Sequence, residues 1–104
     1  MVEFQYFEGC PHYKKTLANL RQLINEGFIN EKEVEIKNIQ DVESAKEIHF
    51  QGSPTILFNG IDIYTEKEPT SYDYSCRIYK FENKFIGTLS KEFIKRQISK
   101  FTSR

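Results

Sequence analysis

Apolar and polar residues alternate from Val2 to Tyr6, and the run closes on Phe7, which predicts a short strand at the start of the chain. Glu8-Gly9-Cys10-Pro11 is a turn signal. Beyond it Tyr13, Leu17, Leu20 and Ile24 recur at helical spacing, with Lys14, Lys15 and Arg21 between them. Pro11 falls in the first turn of that helix, where a missing N–H does no harm, and Gly27 is a natural stop. Alternation returns over Val34 to Ile39 and predicts a second strand. Asp41 is placed to cap a short helix that carries Val42, Ala45, Ile48 and His49 on roughly one side and ends at Gly52. On that side His49 reads as a packed, hydrogen-bonded residue.

Thr55 to Phe58 is a short apolar run of the kind found in buried central strands. Asn59-Gly60 follows, the strongest two-residue hairpin signal, and Ile61 to Tyr64 returns as the partner strand. Residues 65–75 are polar, hold Pro69 and read as a loop. Cys76 to Phe81 predicts a further strand, with Glu82-Asn83-Lys84 as its turn and Phe85-Ile86 returning. Ser90 caps a last helix with Phe93, Ile94, Ile98 and Phe101 on its apolar face, and Thr102-Ser103-Arg104 is expected to fray. A strand–helix–strand start makes the first two strands parallel with a right-handed crossover, and the hairpin adds antiparallel neighbours. The expected architecture is α/β: a mixed sheet of four to five strands with three helices on its faces.

Composition adds limits. The 104 residues suit one domain, 1–104, with a core large enough to need no metal or disulfide scaffold. Fifteen basic and fifteen acidic side chains leave no net charge to attract nucleic acid or an acidic membrane surface. No basic stretch followed by an apolar run opens the chain, and no segment reaches the ~20 apolar residues that span a bilayer. The expectation is a cytoplasmic monomer. Two cysteines are too few for a secreted disulfide framework or an all-thiolate zinc cage.

The candidate chemistry lies in Phe7-Glu8-Gly9-Cys10-Pro11-His12-Tyr13. A cysteine between a strand and a helix N-terminus meets unpaired backbone N–H groups and the positive end of the helix dipole, which favour thiolate. His12 can add a hydrogen bond or positive charge, and Lys14 and Lys15 reinforce the potential. A partly buried structural cysteine is the plain alternative.

Cys10-Pro11-His12-Tyr13, following a first strand and opening a first helix, resembles the Cys-Pro-x-Cys site of thioredoxin-like proteins. Gly52-Ser53-Pro54-Thr55-Ile56 looks like the segment carrying that family's cis-proline ahead of the third strand. The order of elements extends the likeness over nearly the whole chain and implies a thioredoxin-like fold. Ser75-Cys76-Arg77-Ile78-Tyr79 is similar to a segment of a small group of bacterial thioredoxin-like proteins with glutaredoxin-like or alkylmercury-lyase-like labels. The resemblance implies a thiol–disulfide oxidoreductase acting on protein disulfides or glutathione mixed disulfides. Cys10 attacks, His12 supports its charge, and Pro11, Tyr13, Ser53, Pro54 and Thr55 line the substrate site. It implies thiols and disulfides as partners, no bound cofactor and no metal, with glutathione as a co-substrate. No Gly-Gly opens the last helix, however, and no carboxylate-reading cluster appears.

Tyr13 stands where the family has its resolving cysteine, so the mixed disulfide cannot be cleared locally. Three routes stay open: Cys10 as a monothiol resolved by a small thiol, Cys76 as a distant resolver, or a site that only binds. The monothiol scheme leads. A non-catalytic binding module and a heavy-metal protein holding a soft ion between thiolates are the competing classes. Tyr72, Tyr74, Tyr79 and Phe81 cover a sheet face or line a peptide groove.

Overall fold

The structure is a computed structural model, and it describes residues 1–102. Its elements are β1 (Val2–Tyr6), α1 (Tyr13–Asn25), β2 (Val34–Asn38), α2 (Val42–Ile48), β3 (Thr55–Phe58), β4 (Ile61–Asp62), β5 (Tyr79–Phe81), β6 (Lys84–Ile86) and α3 (Lys91–Thr102). Four strands form a mixed sheet in the order β2-β1-β3-β4. β1 and β2 are parallel, with Phe4 opposite Ile36, as a helical crossover requires. β3 runs antiparallel to β1, with Ile56 opposite Phe4. Asn59 and Gly60 both take positive φ (51° and 85°), the conformation a tight hairpin needs, and they turn β3 into β4. β5 and β6 form a separate two-stranded hairpin and do not extend the main sheet.

One core holds Val2 and Phe4 of β1, Ile56 of β3, Leu20 and Leu23 of α1, and Ile94 and Ile98 of α3, with Ile63, Tyr79 and Leu89. Two polar side chains inside it bind backbone. Thr16 Oγ1 accepts the Leu89 N–H at 3.0 Å, and Gln97 donates to the Ile63 carbonyl at 2.7 Å. A smaller cluster of Ile39, Ala45 and Phe50 packs with Phe7, Ile48 and Tyr74.

The helix caps follow local chemistry. Asp41 accepts the Ser44 N–H at 2.7 Å, and Ser90 Oγ accepts the Phe93 N–H at 3.1 Å. Several expectations are corrected. α1 begins at Tyr13, so Pro11 and His12 belong to the turn that leads into it, closed by Lys14 N–H on the Pro11 carbonyl at 3.2 Å. α2 ends at His49 in the left-handed conformation (φ 56°) rather than at Gly52, and His49 is exposed instead of packed. Val42 is exposed too, because only Ala45 of α2 is fully buried. The strand expected from Cys76 begins only at Tyr79, and the one expected over 61–64 ends at Asp62. Thr102 is helical, while Ser103 and Arg104 lie outside the described residues.

Candidate active site

The turn after β1 sets the position of Cys10. Its N–H donates to the Phe7 carbonyl at 3.3 Å, closing Phe7-Glu8-Gly9-Cys10. Gly9 lies against the Phe7 ring, where an added Cβ would come within 3.1 Å of Cδ2. In the disulfide-bonded state Cys10 is completely buried. The free thiolate expected there is therefore absent in this state: Cys10 is joined by a disulfide to Cys76, 66 positions away, with Cα atoms 5.5 Å apart. That Cα separation is within the ordinary range for a disulfide. Cys76 is the exposed member of the pair.

The segment around Cys76 runs extended along Ser53. Ser53 N–H donates to the Ser75 carbonyl at 2.8 Å, and Arg77 N–H donates to the Ser53 carbonyl at 2.9 Å, a parallel bridge centred on Ser53 and Cys76. Gly52 makes this approach feasible. With φ at +103°, any Cβ there would be strained, and it would come within 3.2 Å of the Ser75 carbonyl oxygen. Ser53 is buried and its Oγ accepts the Phe7 N–H at 3.2 Å, which ties it to the Cys10 turn as well. The Ser53–Pro54 bond is cis, as the resemblance implies.

Behind this bridge lies a buried polar network. Arg77 Nη1 meets Asp62 Oδ2 at 2.8 Å, with the two side chains 9% and 1% exposed. The contact lies off the hydrogen-bonding axis and is an ion pair, since Oδ2 has no geometrically acceptable donor. The other carboxylate oxygen accepts the Tyr64 N–H at 2.9 Å. Arg77 Nη1 also donates to Thr55 Oγ1 at 3.0 Å, and Thr55 in turn donates to the Gly52 carbonyl at 2.6 Å. The guanidinium stacks 4.7 Å from the Tyr79 ring centre and 5.4 Å from that of Tyr64. The Tyr79 hydroxyl donates to the Pro54 carbonyl. Burial pushes that hydroxyl well above its ordinary pKa, with the Asp62 charge adding to the shift against the opposing effect of Arg77.

The other expected site residues fall into two groups. Ser53, Pro54, Thr55, Cys10 and Cys76 come together. Pro11, His12 and Tyr13 do not join them through any hydrogen bond found among the described residues. The His12 ring lies over Gly87, where an added Cβ would sit 2.8 Å from its Cγ. The Tyr13 ring stacks on Tyr6 with centroids 4.3 Å apart and belongs to the core margin. Tyr74 packs on Phe7 at 4.8 Å and donates to the Ile39 carbonyl at 3.0 Å, while Tyr79 and Phe81 flank Tyr64. Gly52, Asp62, Tyr64 and Arg77 were not anticipated as site residues. Asp62 carried a signal, a lone carboxylate between Ile61 and Ile63 in a strand.

Among the described residues, no cluster of three or more His, Cys, Asp or Glu is arranged to hold a metal ion, and no helix is long and apolar enough to cross a membrane. No family model, curated protein or solved structure matches this chain.

Proposed function

We propose that the chain is a thioredoxin-like thiol–disulfide oxidoreductase whose redox centre is the Cys10–Cys76 pair. The observation that carries this is the convergence of Cys10 and Cys76, 66 positions apart in sequence, with Cα atoms 5.5 Å apart beside Ser53-Pro54. The thioredoxin-like assignment draws support from the β1–α1–β2 start, the antiparallel β3–β4 hairpin and the place of Ser53-Pro54-Thr55 ahead of β3. Cys76 then takes the role that Tyr13 leaves vacant.

The chemistry is two-electron exchange. In the reduced protein the Cys76 side chain turns away into solvent, and the Cys10 thiolate so uncovered attacks one sulfur of a substrate disulfide and releases the other half as a thiolate. The Cys76 thiolate next attacks the Cys10 sulfur of the mixed disulfide, forms the Cys10–Cys76 bond and releases the second substrate thiolate. The substrate disulfide is reduced to two thiols and the protein pair is oxidised. A small thiol such as glutathione, two molecules per cycle, returns the pair to the reduced state and leaves as its own disulfide. A cytoplasmic location with its reducing thiol pool belongs to the same proposal.

The test is disulfide reduction assayed with single-cysteine variants. Cys10→Ser is expected to abolish reduction. Cys76→Ser is expected to stop after one half-reaction, trapped as a Cys10 mixed disulfide visible by mass spectrometry. Unaltered activity in Cys10→Ser would refute the proposal.

A further inference from the structure

The backbone of Ser53 is the strand-like edge nearest the disulfide, and both of its polar groups are already engaged. Its N–H holds the Ser75 carbonyl and its carbonyl holds the Arg77 N–H. An extended polypeptide that adds to such an edge needs those same groups free. The chain's own 75–77 segment thus lies where such a substrate backbone would pair.

Anchors on both sides of Cys76 hold this segment independently of the disulfide. On one side Asp73 N–H donates to the Phe50 carbonyl at 2.6 Å and Tyr74 donates to the Ile39 carbonyl at 3.0 Å. On the other side are the Arg77–Asp62 ion pair, the Tyr79 bond to the Pro54 carbonyl, and Lys80 N–H on the Tyr64 hydroxyl at 3.0 Å. Opening the sulfur–sulfur bond removes none of these. What remains open is Cys76 itself, which is exposed while its backbone is docked, with a groove of about 340 Å³ on the Cys10-turn side lined by Phe7, Glu8, Gly9, Asn38, Gln40 and Tyr74.

We infer that the 75–77 segment stays docked on Ser53 when the pair is reduced and restricts the site to small-molecule disulfides, excluding extended polypeptides. The inference rests on the thiol–disulfide activity proposed above and names its substrate class. The electron balance is unchanged. A low-molecular-weight disulfide RSSR takes two electrons from the dithiol and leaves as two RSH, and the protein leaves as the Cys10–Cys76 disulfide.

The experiment compares oxidation of the fully reduced, full-length protein by 2-hydroxyethyl disulfide and by an extended peptide joined to the same thiol in a mixed disulfide. The small disulfide is expected to react at least about tenfold faster, and Arg77→Ala, which loosens the segment, to narrow that ratio several-fold. Hydrogen exchange on reduced wild-type protein provides a readout that needs no variant: the Ser53 and Arg77 amides are expected to remain protected by about a hundredfold or more. A peptide that reacts as fast as the small disulfide, or free exchange at those two amides, would overturn the inference while leaving the activity standing. Reaction with neither oxidant would overturn the activity itself, and the inference with it.

Discussion

At the residue scale, the charge pair of Asp62 and Arg77 holds the site together from behind. The two ions face each other at 2.8 Å in a nearly closed environment, so removing either leaves the other buried and uncompensated. Arg77→Ala and Asp62→Ala are each expected to cost about 3–5 kcal/mol in urea denaturation. The double variant is expected to cost less than the sum, since it strands no charge. Gly52 is a second such residue. Gly52→Ala places a methyl group against Ser75 at a positive φ and is expected to destabilise by about 1–3 kcal/mol, with increased solvent exchange at the Arg77 amide. Tyr79 contributes a pH dependence. Burial raises the folded-state pKa above the ordinary 10.0, so the folded protein favours the neutral hydroxyl. That contribution is fully present below pH ~10 and is lost as pH rises toward the folded pKa. Tyr79→Phe should flatten the alkaline part of the stability profile, checked by urea midpoints between pH 9 and 11.

At the element scale, most of the chain was legible because the relevant forces act between near neighbours. Leu20 and Leu23 in α1, and Ile94 and Ile98 in α3, repeat at helical spacing and line one core. Asp41, Ser90 and Asn59-Gly60 mark boundaries through single local hydrogen bonds or φ values. Asp41 also predicts an acid response. The Ser44 backbone N–H holds its carboxyl below the usual range, so its contribution to α2 is present above pH ~4 and fades as pH falls through the lower folded pKa. A drop in helicity on acidification that Asp41→Asn reduces would be the signature, measured by circular dichroism. Local pattern misled where the end of an element was decided elsewhere. His49 lies at the apolar side of a helical projection, yet it leaves the helix with left-handed backbone and turns outward. The run from Cys76 looked like one strand. Its first residues instead follow Ser53, and only Tyr79–Phe81 pairs with β6.

At the scale of the whole molecule, the meeting of Cys10 and Cys76 had no local signature. It depends on β3 and β4 reversing the chain, on Gly52 admitting Ser75, and on Arg77 reaching Asp62 across non-neighbouring elements. Cys10 was legible as a candidate because its turn and the following helix are local. Its partner was open between Cys76 and a free thiol because closing a 66-residue separation is a tertiary event. The same separation gives the disulfide leverage on stability. In the chain-entropy account, reduction is expected to lower unfolding free energy by about 4 kcal/mol while leaving a cooperative transition, since the flanking anchors persist.

The most direct measurement is the equilibrium state of the two sulfurs in glutathione redox buffers of graded ratio, read by quantitative alkylation and mass spectrometry. If Cys10 and Cys76 are one redox centre, both sites lose label together over a single reversible two-electron transition, and Cys76→Ser replaces it with a Cys10–glutathione mixed disulfide. Independent labelling of the two cysteines across the series, with Cys10 unchanged by Cys76→Ser, would contradict the account.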